Sequence, residues 1–179
     1  TRVVGAYAFA SCKRLKEVQL NDSLKDLGPR ERVSGKEYEG HVFAWSAVEK
    51  VNIPLTLAVI PKGTFLECRM LRTVWLPNGL QVIGGDAFLG SGVTKVVLPR
   101  TVWAVYRGAF AQCRNLRRAV VNEDMQVLET DERATGHERT KCVFWLNAIA
   151  CAMNALGLDR VEYSASSECS ELKDIGFQE

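Results

Sequence analysis

Six cysteines, two histidines and two glycine-rich stretches are the residues of this chain whose types could do chemistry. Thiols can act as nucleophiles, metal ligands or disulfide partners, and histidine as a base or a ligand. Cys142, Cys151 and Cys169 are spaced 9 and 18 apart, unlike a zinc motif, and they leave a disulfide within the tail open. His41 and His137 each precede the return from a charged insert, and no further ligand spacing accompanies them. Gly84-Gly85 and Gly90-Ser91-Gly92 superficially resemble phosphate cradles, but no helix follows in register. The G-x-S-x-G, P-loop and H-E-x-x-H patterns are absent from the sequence. The residues therefore predict no enzyme, no metal site and no cofactor.

The remaining cysteines belong to a repeat, and the repeat is what positions everything else. Taking Phe9 as a marker, the series Phe9, Cys12, Leu15, Val18, Leu20, Leu24, Leu27 recurs as Phe65, Cys68, Leu71, Val74, Leu76, Leu80, Ile83. It recurs again as Phe110, Cys113, Leu116, Ala119, Val121, Met125, Leu128. Two copies, beginning at Phe43 and Phe88, are one residue shorter before the strand and carry Ser46 and Ser91 at the cysteine position. A sixth copy starts at Phe144, Asn147, Ile149 and then loses the pattern. Marker spacings of 34, 22, 23, 22 and 34 give a basic period of 22 to 23, in the range of leucine-rich repeats. Phe9 and Phe110 are 101 residues apart and both copies precede an insert, which suggests a duplicated four-repeat unit. Val3-Val4-Gly5 matches the end of a repeat (Val82-Ile83-Gly84), so an earlier repeat is expected upstream, in a longer precursor.

The stretches "GAYAFASCKRLKEVQL", "PKGTFLECRMLRTVWLPNGL" and "YRGAFAQCRNLRRAVV" resemble the BspA-like class of leucine-rich repeats over residues 3 to 128, about 70% of the chain. The resemblance implies a right-handed repeat solenoid with a parallel β-sheet, mostly strand and loop, that serves as an interaction surface. Inserts at 29–39 and 129–141 are longer than the class pattern allows, and residues 150–179 do not fit it. The expected division is a solenoid of about six repeats over 1–149, then a C-terminal helical cap and acidic tail over 150–179. "CVFWLNAIACAMNALGL" turns alanine-rich and suits a helix, read first as a cap closing the open end of the stack and alternatively as a helix that docks a partner. Its length is borderline for a membrane span, with Asn147 and Asn154 inside it. Residues 164–179 are polar and acidic and are expected to be loosely ordered.

One coil cannot bury its apolar side alone, whereas stacked parallel copies about 4.8 Å apart share a core. In Arg72-Thr73-Val74-Trp75-Leu76, alternation points Val74 and Leu76 inward and Thr73 and Trp75 outward. Pro54, Pro77 and Pro99 end the ladders, and pairs such as Leu80 and Ile83 close the opposite wall. Cys12, Cys68 and Cys113 then lie two coils apart, roughly 10 Å, beyond the reach of a disulfide. They read as buried free thiols, a usage that leans intracellular or organellar.

Function is expected on the outward columns. One reads Glu17, Lys50, Thr73, Lys95, Arg118 and the next Gln19, Asn52, Trp75, Val97, Val120. A Trp75-Val97-Val120 stripe edged by Arg72, Lys95, Arg117 and Arg118 has the composition of an interface anchor, although strands favour such residues anyway. The charged inserts are expected to project as loops, either for recognition or as solvated spacers.

Apolar residues make up 47% and charged residues 25%, an ordinary balance for a globular domain, and the net charge is only +2. From Glu129 onward there are ten acidic and five basic residues, while the first 128 residues hold 18 basic and 11 acidic, a basic body and an acidic tail. The leading expectation is a non-catalytic protein–protein interaction module or scaffold, a subunit of a larger assembly. The alternative is part of a surface or adhesion repeat protein that binds extracellular ligands. Nucleic acid is not the expected partner, because no clustered basic run is present, and neither a membrane span nor a small-molecule substrate is expected.

Overall fold

The computed structural model describes residues 2–29, 31–33, 36–106, 108–122, 126–128 and 174–178. The chain winds through five coils, each contributing a first and a second strand. In chain order the strands are β1 (Val3–Val4), β2 (Glu17–Gln19), β3 (Asp26–Leu27), β4 (Glu31–Val33), β5 (Lys36–Tyr38), β6 (Lys50–Asn52) and β7 (Val59–Ile60). They continue as β8 (Thr73–Trp75), β9 (Val82–Ile83), β10 (Lys95–Val97), β11 (Ala104–Tyr106), β12 (Arg118–Asn122), β13 (Gln126–Leu128) and β14 (Asp174–Gln178). The first strands form a six-stranded parallel sheet in the order β14-β12-β10-β8-β6-β2. The second strands form the opposite wall in the order β13-β11-β9-β7, and β1 pairs with β3 beside it.

The core follows from the repeat spacing. Phe9, Phe43, Phe65, Phe88 and Phe110 form one ladder with ring centroids 5.4, 5.5, 5.2 and 4.9 Å apart. That step is close to the separation of neighbouring strands, so each coil supplies one ring to a continuous stack. The inner four rings are fully buried, while Phe9, at the first coil, keeps 39% of its surface exposed. Between the marker turns, hydrogen bonds also run from coil to coil: Phe43 N donates to Thr64 O, Phe65 N to Ala87 O and Phe88 N to Ala109 O, at 2.7–2.9 Å. The turns can therefore be buried without orphaned backbone groups.

Each marker phenylalanine is bracketed by two left-handed residues, two positions before and two after it. Before it stand Tyr7, His41, Gly63, Asp86 and Gly108, and after it Ser11, Trp45, Glu67, Gly90 and Gln112. At Gly63 a Cβ would lie within 2.5 Å of the His41 ring, so glycine is required there by contact as well as by its φ of 59°.

Three features depart from the sequence reading or extend it. The first insert folds back as an antiparallel hairpin, β4 with β5, where a loop was expected. Residues 174–178 are strand, pairing in parallel with β12 over five positions, where loose order was expected. The spacing Cys169, Leu172, Ile175, Phe177 repeats that of Cys113, Leu116, Ala119, Val121, and the register sets Ile175 beside Ala119 and Phe177 beside Val121. The sixth copy beginning at Phe144, the helical cap and the second insert lie outside the described residues. Among the described residues no helix is long and apolar enough to cross a membrane.

Candidate functional site: the outer face of the first sheet

The column register matches the alternation read from the sequence. Glu17 pairs with Lys50, Lys50 with Thr73, Thr73 with Lys95, and Lys95 with Arg118. Two residues further along, Gln19 pairs with Asn52, Asn52 with Trp75, and Val97 with Val120, and the Thr73–Lys95 register carries Val97 alongside Trp75. Strand burial alternates accordingly: Val74 and Val96 face the core while their neighbours face out. Trp75 is 61% exposed, Val97 is exposed and Val120 is half-buried. Arg72, Lys95, Arg117 and Arg118 are all exposed. The register thus sets Trp75, Val97, Val120, Lys95 and Arg118 on one face, Arg72 lines a groove beside Trp75, and Arg117 directly precedes Arg118.

Trp75 stands as a ridge between two shallow grooves. On one side a groove of about 570 Å³ is lined by Lys95, Val97, Asn78 and Arg100. On the other a groove of about 500 Å³ is lined by Lys50, Met70, Arg72 and Glu49. Met70 and Arg100 were not singled out in the sequence. Met70 is 46% exposed and occupies the extra residue that long repeats carry before the strand. That length difference was the available signal, because an inserted residue in a packed coil must bulge outward. A flexible thioether beside an exposed indole is an adaptable apolar surface.

The other chemistry-bearing residues that the structure describes have structural roles, and Cys142, Cys151 and Cys169, with the disulfide left open among them, lie outside the described residues. Cys68 and Cys113 are buried free thiols, and Cys12 is a half-buried one. Cys68 Sγ donates to Phe43 O and lies 3.5 Å from Ser46 Oγ; Cys113 Sγ donates to Phe88 O and lies 3.4 Å from Ser91 Oγ. Long and short repeats thus alternate as thiol and hydroxyl. Burial pushes the Cys68 thiol up to about 11 and the Cys113 thiol up to about 12, so both stay protonated and unreactive near neutral pH. The His41 ring stacks on Tyr7 with centroids 4.9 Å apart, and its Nδ1 lies 2.9 Å from Glu39 O. His137 lies outside the described residues. Among those described, no group of three or more histidine, cysteine or acidic residues could hold a metal. Three of the four glycine amides that resembled a phosphate cradle are engaged within the fold: Gly84 N donates to Ile60 O, Gly90 N to Ala111 O and Gly92 N to Cys68 O.

The match to known families covers the same coils. The model for the BspA type leucine-rich repeat region matches in six copies over residues 1–30 and 36–132. The chain belongs to this family. No curated protein matches the chain. Among solved structures, a leucine-rich repeat protein from Bacteroides ovatus ATCC 8483 is 21% identical with a TM-score of 0.61, over 97% of this chain and 34% of that one. A leucine rich cell surface protein from Faecalibacterium prausnitzii A2-165 is 21% identical with a TM-score of 0.58, over 75% of this chain and 31% of that one. A leucine-rich repeat protein from T. pallidum is 23% identical with a TM-score of 0.61, over 87% of this chain and 76% of that one. These likenesses concern the fold. The chain spans about a third of the length of the first two.

Proposed function

We propose that this chain is a non-catalytic protein-binding module, a scaffold or subunit of a larger assembly, whose partner docks on the outer face of the first sheet. The observation that carries the reading is the Trp75–Val97–Val120 stripe, in register across three coils and edged by Arg72, Lys95, Arg117 and Arg118. Inward residues are committed to the core, so binding specificity has to come from outward columns and inserts. An exposed indole flanked by arginines is a surface of the kind that supplies interface anchors. Repeat folds of this family generally bind proteins, which supports the class of activity and leaves the face to be tested.

The test is affinity capture from the native source with wild type and with Trp75→Glu plus Val97→Glu, both checked for folding by circular dichroism. Loss of the same proteins from the double variant supports the outer face as the site. Unchanged capture places recognition on the inserts or the tail. A second reading is part of a longer surface or adhesion protein, favoured by the similarity to a cell surface protein of which the match covers 31%. It expects ligands outside the cell and many more tandem repeats in the full gene product.

A further inference from the structure

The positive charge of the repeat body is concentrated on one edge of the fold. Residues 11–17, 45–50, 67–73, 90–95 and 112–118 form the arc that leads from each marker turn into its first strand. These arcs hold ten basic and three acidic residues. The rest of residues 1–128 holds eight of each. The whole +7 excess therefore lies on the arc, although it is scattered in sequence and forms no basic run.

The arrangement is periodic. The first position after the cysteine is Lys13, Arg69 and Arg114 in the long coils, and Ala47 and Gly92 in the short ones. At the position just before the first strand, the long coils carry Lys16, Arg72 and Arg117, and the short ones Glu49 and Thr94. All six of these cations are exposed. Paired cations thus recur every second coil, about 10 Å along the stack by the strand spacing. Acidic groups also border this edge: Lys16 lies 3.4 Å from Glu49, Arg69 lies 2.8 Å from Glu67, and the register sets Asp174 beside Arg118, while ion pairs near the surface carry small energetic weight. The Trp75–Val97–Val120 stripe runs parallel to these rows, and it is about 6.6 Å from the Thr73–Lys95–Arg118 column.

We infer that the partner's docking element is an acidic amphipathic helix lying along the stack axis. The inference rests on the outer-face reading above and specifies its chemistry. Seven residues of helix rise about 10.5 Å, so carboxylates at heptad spacing meet the cation pairs of successive long coils. The same helix, about 10 Å across, lays an apolar strip on Trp75, Val97 and Val120. A nucleic acid strand fits less well. It carries a charge roughly every 3.4 Å, denser than the cation pairs, and it gives the two valines nothing to bury against.

The test is fluorescence anisotropy with the full chain and three labelled probes. One is a helix-forming peptide of about 18 residues with glutamate at every seventh position and a leucine strip beside it. The second is a scrambled peptide of the same composition, and the third is oligothymidylate of equal charge. The patterned peptide is expected to bind at least about ten-fold tighter than either control and to weaken as salt rises. Arg72→Glu plus Arg117→Glu, with the fold verified, is expected to abolish the difference. Equal binding of the scrambled peptide, tighter binding of the oligonucleotide, or no binding of the patterned peptide overturns the inference. If charge reversal spares native capture while Trp75→Glu plus Val97→Glu removes it, the face is right and the acidic partner is wrong. If neither set of changes affects capture, the outer-face reading itself fails.

Discussion

Replacing Phe88 by alanine should cost far more than replacing Phe9, although both are the same residue at the same repeat position. Phe88 is fully buried and stacks on Phe65 at 5.2 Å and on Phe110 at 4.9 Å. Phe9 keeps 39% of its surface exposed and stacks on Phe43 alone, at 5.4 Å, in the described ladder. Removing a buried phenylalanine costs about 3–5 kcal/mol, from lost transfer energy plus an unfilled cavity. Phe88→Ala should sit near the middle, about 4 kcal/mol, a large part of the ~5–15 kcal/mol of a typical domain. Phe9→Ala loses only about three-fifths of the transfer energy, one ring contact, and little cavity, about 2 kcal/mol. Equilibrium urea unfolding of the full chain measures both. Phe88→Ala should also broaden the transition, because a coil weakened in mid-stack uncouples its neighbours. Equal losses at the two positions would refute the reasoning, since they would mean that the ladder does not carry the core coil by coil.

Two further outcomes follow from the same structure. The raised thiols make stability pH-dependent: the folded state holds its protons more tightly, so the contribution is intact below the ordinary value of 9.0 and is lost as pH climbs toward 11 and 12. Urea midpoints should therefore fall above pH 9, and Cys68→Ser, the residue that short repeats carry in that column, should flatten the fall; an identical slope would contradict the burial argument. Gln112 is exposed with a φ of 55°, so Gln112→Gly should stabilise by about 0.5–1 kcal/mol, while Gly63→Ala, meeting the His41 ring, should destabilise by more than that.

The coil and its outward columns were legible because both rest on short-range periodicities. Alternation within Thr73-Val74-Trp75 fixes which side faces out, and repeat length fixes which residues pair across coils. Cys68 and Cys113 were read as buried and two coils apart, but their serine partners were not foreseen, since that requires adjacent coils to interlock as thiol and hydroxyl. The left-handed positions around each phenylalanine were not legible either, because Trp45, Glu67 and Gln112 are not residues that announce a positive φ. The β14 strand was missed for another reason: its four-residue spacing matches the repeat, but no phenylalanine marker precedes it, and a long insert separates it from β12. The basic arc escaped a search for charge runs because coiling, not sequence adjacency, assembles it.

The central claim is that the outer face of the first sheet is the docking surface. A photo-crosslinking amino acid placed singly at positions 75, 97, 45 and 103, all sites of exposed large side chains, tests it most directly in the native source. The account predicts one shared adduct from 75 and 97 and none from 45 or 103. Adducts from 45 or 103 with none from 75 and 97 would contradict it.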